Sequence, residues 1–371
     1  MMDYLLFMPL GVEISRVFGI GPDSFGLLVS SYCISAGVSG LVAAFFLNSI
    51  PKVKLLSWVY AGFVVGTLLC ALAPTYETLV LARCIAGLFG GLTAPIILAL
   101  IGDLFPEKER GSAIGIFMLG FGLAAVAGVP FGLQLALHFT WRMPLYLIAG
   151  LGFVVWMMGL KTFPRTKVAP TNHVAARLTF FEALKIPPHL KLIGIIVCLT
   201  FAQMVITPYI SPFLVKNTGI EYTQLPVIFG IAGLFTLISA PVIGMLSDRL
   251  ESKRVYSIIN IAAVMVTMVF AFSRHLSLFQ ASLIVALLMT FLTGRFIVAM
   301  SVFTSLVKPE FRTSIFSFNS AIQQLATGIA SYIGGLILVE NLKGLENFIT
   351  LACISVGFSI LTSFLLRRAL L

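Results

Sequence analysis

Long apolar runs separated by short polar breaks fill almost the whole chain. Charges bracket most of the runs, and none falls between Glu221 and Asp248 or between Arg312 and Glu340. A helix needs about 20 apolar residues to cross about 30 Å of hydrocarbon. Backbone groups in lipid must bond internally, which leaves helices or a closed barrel. Barrel strands would alternate polar and apolar positions over about 10 residues, and these runs do not. The pattern predicts twelve spans, at residues 2–20, 24–47, 55–73, 78–101, 111–137 and 143–160, then 192–215, 222–247, 255–273, 276–307, 313–339 and 348–366. The first span has only two residues ahead of Asp3, so part of it is expected upstream. The alternative is a short, tilted first helix.

One stretch departs from the pattern. Residues 161–191 hold six basic residues, four Pro, two His and one acid, Glu182. They read as a basic cytoplasmic linker (161–191) between an N-terminal six-helix bundle (1–160) and a C-terminal one (192–371). The fold class is an all-α membrane protein of twelve transmembrane helices in two pseudo-repeated bundles. A weak internal echo supports the repeat. Phe105-Pro106-Glu107-Lys108-Glu109-Arg110 follows span 4, and Lys308-Pro309-Glu310-Phe311-Arg312 follows span 10. Duplicated halves around a central site are a recurrent transporter architecture.

Composition agrees. Hydrophobic residues make up 59% of 371 and charged residues 10%, too much apolar surface for a soluble chain of this size. The net charge of +10 does not point to nucleic acid, because the basic residues sit in short loops. Loops on the linker's side hold 17 Lys and Arg; the opposite loops hold four, Arg142, Lys216, Arg274 and Lys343. That asymmetry places the linker and both termini in the cytoplasm, in a multi-pass cell (inner) membrane protein. The five Cys lie in apolar runs without metal-ligand spacing. No Gly-rich phosphate loop and no nucleophile–base set are present, so neither ATP hydrolysis nor an enzyme is expected. No cofactor and no metal are implied. The expected partners are a small-molecule substrate, protons and the bilayer, with the chain working as a monomer.

Three motifs carry more specific information. Gly244-Met245-Leu246-Ser247-Asp248-Arg249, followed by Lys253 and Arg254, ends span 8 and forms a charge cluster able to latch one conformation. After span 2 the matching positions read Ala44-Phe45-Phe46-Leu47-Asn48-Ser49, with only the basic Lys52 and Lys54 kept. Span 4 holds Arg83 four residues before Gly87. Span 5 holds Gly128-Val129-Pro130-Phe131-Gly132. Together these resemble the loop, span-4 and antiporter motifs of the major facilitator superfamily, in its drug- and sugar-efflux branch. The resemblance spans the whole chain. It implies an alternating-access secondary transporter, with Arg83 linked to proton transfer and Gly128, Pro130 and Gly132 in an antiporter-like motif. A structural ion pair is the alternative for Arg83, and small-residue packing the alternative for the glycines.

The acids limit the mechanism. Only Asp3 and Glu13 lie within spans, both on span 1. Desolvation favours a carboxylate's neutral form and a nearby arginine its charged form, the balance that a proton exchanger needs. Counting about 1.5 Å per residue from the outer ends puts Glu13 level with Arg83 and Asp3 about 15 Å deeper. This predicts a Glu13–Arg83 pair and a separate proton site at Asp3. The alternative for Glu13 is a local bond to Arg16, three residues on. Arg295, inside span 10, is expected to face Asp3 or an anionic substrate group, or else to bond carbonyls. Tyr32, Gln203, Tyr209, Asn319, Gln323 and Gln324 are the remaining cavity candidates, each also able to serve as a helix-packing hydrogen bond. Pro208 and Pro212 predict a bend in span 7. The expected function is proton-coupled efflux of small amphipathic compounds. The runners-up are a sugar or metabolite (nucleoside) exporter and a non-transporting membrane sensor.

Overall fold

The computed structural model describes residues 2–46, 51–162, 187–307, 312–341 and 344–369; most of the 161–191 linker lies outside them. Twelve membrane passages run through the described residues. The first is broken. Pro9 has no N–H to give, so α1 (Met2–Phe7) stops, a turn follows, and α2 (Gly11–Phe18) restarts and ends at a left-handed Gly19 with φ 64°. Then come α3 (Pro22–Phe46), α4 (Lys52–Leu72) and α5 (Tyr76–Leu104). The fifth passage is α6 (Glu107–Leu123), a π-helical turn at Ala124–Gly128, and α7 (Val129–His138). Pro130 cannot bond the carbonyl four residues back, and the wider π turn just ahead of it absorbs the mismatch. The sixth is α8 (Met143–Thr162).

The seventh passage bends where its prolines predict, as α9 (Pro187–Met204), a 3-10 turn at Thr207–Tyr209 and α10 (Ile210–Asn217). Next are α11 (Leu225–Arg249), α12 (Ser252–Phe272), α13 (Leu278–Leu306), α14 (Arg312–Ile337) and α15 (Phe348–Ala369). Between α14 and α15 lies a small antiparallel hairpin, β1 (Val339–Asn341) and β2 (Gly344–Glu346), which the hydrophobic pattern had folded into span 11 and its loop. Among the described residues, nine helices are long and apolar enough to cross a membrane. The other three passages miss that mark because two are broken and α14 carries Asn319, Gln323, Gln324, Thr327 and Ser331. Large apolar side chains such as Trp58, Phe279 and Ile258 point outward, as a lipid-covered surface requires.

The two halves repeat in detail. α4 and α12 each have 21 residues, and α5 and α13 each have 29. α5 and α13 also start from matched capping boxes, Thr75 with Thr78 and Ser277 with Gln280. In the first half α5 packs between α3 and α4, and α8 covers α4; in the second, α13 packs against α11 and α12, and α15 covers α9 and α12. The halves meet along two seams, α3 against α14 and α7 against α11.

The seams are shut at the end away from the linker. There Phe25 meets the Tyr209 ring edge-on at 6.2 Å, and the Tyr209 hydroxyl donates to the Ser331 carbonyl. Lys216 pairs with Glu340, and Asn217 clasps the hairpin by donating to Leu345 O and accepting from Leu345 N–H, each at 2.9 Å. Toward the linker the fifth and eighth passages diverge. Successive positions Ile114–Ile116 and Leu119–Gly120 are exposed round most of α6, and a Cβ at Gly244 on α11 would meet nothing within 4 Å among the described residues. Asn217→Ala will strand both polar groups of the Leu345 backbone. The expected loss is about 2–4 kcal/mol, read as a lower unfolding midpoint in detergent, with Asn217→Asp losing only the donated bond.

Candidate functional site

The chemistry gathers where α1, α3 and α5 meet. Asp3 and Phe7 are four residues apart and so share one face of α1. That face meets Arg83, about two turns into α5. Arg83 Nη1 lies 2.9 Å from Asp3 Oδ2, and both side chains are fully buried, at 0% and 1% exposure. Its guanidinium is sandwiched between the Phe7 ring at 4.1 Å and the Tyr32 ring at 4.3 Å. Such cation–π contacts offset part of the desolvation cost where water is excluded. Tyr32 comes this close because residue 87 is glycine, where a Cβ would sit 2.3 Å from the Tyr32 carbonyl oxygen. Tyr4 stacks on Tyr32 at 5.9 Å, and its hydroxyl donates to the Met204 sulfur at 3.6 Å, a link from the first half to the second.

The pair is not saturated. Asp3 Oδ1 and Arg83 Nε and Nη2 are buried with no hydrogen-bond partner among the described residues. Oδ1 is therefore open to a further donor while Arg83 Nη1 still donates to Oδ2.

This geometry corrects the expected pairing. Arg83 binds Asp3, not Glu13. Glu13 makes the local alternative instead, 3.6 Å from Arg16, whose side chain is 80% exposed. The depth count failed because span 1 is not one helix: the turn at Pro9 interrupts it, so a uniform rise per residue does not carry from Ile20 down to Asp3. For Arg295 the structure rules out the Asp3 branch of the expectation. Its Nη1 donates to Ser359 Oγ at 2.6 Å and Asn260 Oδ1 at 3.3 Å, on α15 and α12, so it points into the second bundle and not toward Asp3.

The other candidates divide. Tyr209 belongs to the closed end. Gln203 is half-buried, and its backbone carbonyl accepts from the Thr207 hydroxyl. Asn319 is buried with a free Oδ1, one turn from the half-buried Gln323 and Gln324 on α14. Gly128 and Gly132 face Met2 and Leu6 of α1, and Pro130 faces Gly230 of α11. That motif therefore joins the Asp3-bearing helix to the seam between halves. In the latch, Asp248 and Arg249 are exposed, Lys253 is half-buried, and Arg254 pairs with its neighbour Glu251 at 3.0 Å. Among the described residues Asp248 makes no ion pair. In the first half, Lys52 binds Asp103 at 2.6 Å, so the basic residue kept there ties α4 to α5. Sequence reasoning missed Tyr4 and Phe7, although the i, i+4 spacing of Phe7 from Asp3 carried a signal.

Comparison with known proteins agrees with this architecture. The MFS-type transporter YtbD of Bacillus subtilis (strain 168), itself uncharacterised, is 27% identical over 319 residues, 84% of this chain and 78% of its own. A probable sugar efflux transporter of Helicobacter pylori (strain ATCC 700392 / 26695) is 22% identical over 265 residues, 70% of this chain and 65% of its own. The crystal structure of the nucleoside transporter NupG superposes with a TM-score of 0.72 at 16% identity, over 99% of this chain and 98% of that one, and so shares the fold. The Major Facilitator Superfamily sequence model matches residues 1–331 and 192–369. With that match and two six-helix bundles of the same design, the chain belongs to the Major Facilitator Superfamily, whose members are membrane transporters.

Proposed function

We propose that this transporter exports small amphipathic compounds by exchanging them for protons. The observation that carries the reading is the buried Asp3–Arg83 pair with its free carboxylate oxygen. An ionised pair inside a membrane is costly to keep, and such groups mark ion and substrate paths. Proton entry at Asp3 Oδ1 weakens the hold on Arg83. The α1–α7 contact then carries the change to the seam at Pro130 and Gly230. Access alternates as bundles 1–160 and 192–371 rock about that seam, with 161–191 as the tether. The 17-to-four loop asymmetry favours an inner membrane with both termini cytoplasmic. A single chain supplies every part of this path.

A second reading is favoured by the polar stripe Asn319, Gln323 and Gln324 and by the name of the Helicobacter relative. In it the exported compound is a sugar or nucleoside that these amides hydrogen-bond. Proton movement in proteoliposomes against a panel of dyes, antibiotics, sugars and nucleosides separates the readings. Proton flux evoked by apolar dyes or drugs supports the first, and flux evoked by sugars or nucleosides alone supports the second. Substrate movement without protons would remove the antiport mechanism, and no response to any compound would favour a non-transporting sensor.

A further inference from the structure

Arg295 poses a charge problem that its own bundle does not solve. It is 1% exposed and lies eleven residues, about 16 Å, from the nearer end of α13. An arginine keeps its proton in a protein, so the charge is permanent. The second-half helices hold no acid except Asp248, at the exposed end of α11. The neighbours of Arg295 are neutral and already engaged. Asn260 donates to Ser359 O at 3.1 Å and Ser363 Oγ at 2.9 Å, and Ser359 donates to Ser355 O at 2.7 Å. Two donors of Arg295, Nε and Nη2, are buried without a partner among the described residues. The hydroxyl of Tyr256, one turn from Asn260 on the same face of α12, lies beside Arg295 and within reach of Thr362. The cluster is therefore short of one acceptor and one negative charge.

We infer that Arg295, with Tyr256 and Asn260, holds a small inorganic anion of the halide type inside the second bundle. A buried charge is ordinarily paired, and leaving it unpaired is strongly destabilising. The site does not suit a substrate, because α12 and α15 pack within their own half, away from the seams. Its burial excludes a lipid headgroup. An anion bound there neutralises the core of the second bundle in every stage of the cycle, and transport then depends on chloride without moving it.

The test is the melting temperature of the purified protein as sodium gluconate is replaced by chloride or bromide at constant ionic strength. The wild type is expected to gain about 3 °C or more in a saturable way, as a ligand bound only to the folded state requires. Asn260→Asp places a carboxylate 3.3 Å from Nη1 with almost no change of shape. It gives up the bonds that Asn260 donates to Ser359 O and Ser363 Oγ, which lowers its own melting temperature, and it is expected to lose the halide response. Broadening of the chloride-35 resonance by the wild type, absent with Asn260→Asp, is the second readout. A wild type indifferent to halide overturns the inference. So does an equal halide response in Asn260→Asp, which would mark adventitious binding to a chain of net charge +10.

Discussion

Asp3→Asn will abolish substrate-driven proton flux while leaving downhill exchange of substrate across the membrane measurable. The substitution fixes the side chain in a neutral form close in shape to the protonated acid, so the exchanger loses the group that alternates. It also leaves Arg83 buried between Phe7 and Tyr32 without a counter-charge. Removing one partner of a buried pair costs about 3–5 kcal/mol. The amide oxygen still accepts from Nη1, which puts Asn at the low end and Asp3→Ala at the high end. Restoring apolar balance with Asp3→Asn/Arg83→Met should recover stability but not proton flux, which separates folding from coupling. Glu13→Gln is expected to keep full flux, because its partner Arg16 is largely exposed and such pairs contribute about 0–1 kcal/mol. Flux that survives Asp3→Asn and disappears with Glu13→Gln would reverse the assignment.

The sequence pattern also puts the proton on Asp3 but pairs Arg83 with Glu13, and the reason for that mispairing is instructive. Apolar run length and charge brackets locate spans well, because lipid imposes one dimension on every helix. They carry the twelve passages, the break between halves and the bend at Pro208 and Pro212. Depth along a span is legible only if the span is a single helix. Pro9 and Gly19 break that condition, and both residues were visible, but a proline in a membrane helix as often bends it as ends it. The neighbours of Arg295 were hidden for another reason. Asn260 and Ser359 stand on α12 and α15, and no periodicity within α13 says which helices its faces meet. The π turn before Pro130 was hidden too, since nothing in the spacing tells which residue absorbs a missing N–H. The Asp3–Phe7 spacing, by contrast, carried the Arg83 sandwich in plain view.

Gly335→Ala will hold the end away from the linker open and stop transport. Position 335 lies on α14 where it crosses the start of α3. A Cβ there would sit 2.5 Å from the Pro22 carbonyl oxygen, 2.8 Å from the Tyr209 hydroxyl and 3.2 Å from the Asp23 Cα. Two of those atoms are backbone, fixed by the first turn of α3, so no rotamer change relieves the contact. The Tyr209 hydroxyl is held by Ser331 O and has no free direction in which to retreat. The closed seam must therefore part by a fraction of an ångström at least, and Phe25 against Tyr209 then loses its fit. A transporter that alternates between two shapes of similar free energy needs only about 1.4 kcal/mol to shift their ratio tenfold. The open form places no such demand on residue 335, so the population moves to it. Spin labels at the exposed positions Val17 and Val339 will report the shift as a longer distance in Gly335→Ala than in the wild type. Tyr209→Phe, which drops the bond to Ser331 without adding bulk, is expected to shift the distance in the same direction by less. An unchanged distance with transport lost would mean that Gly335 serves helix packing within one shape and not the choice between two.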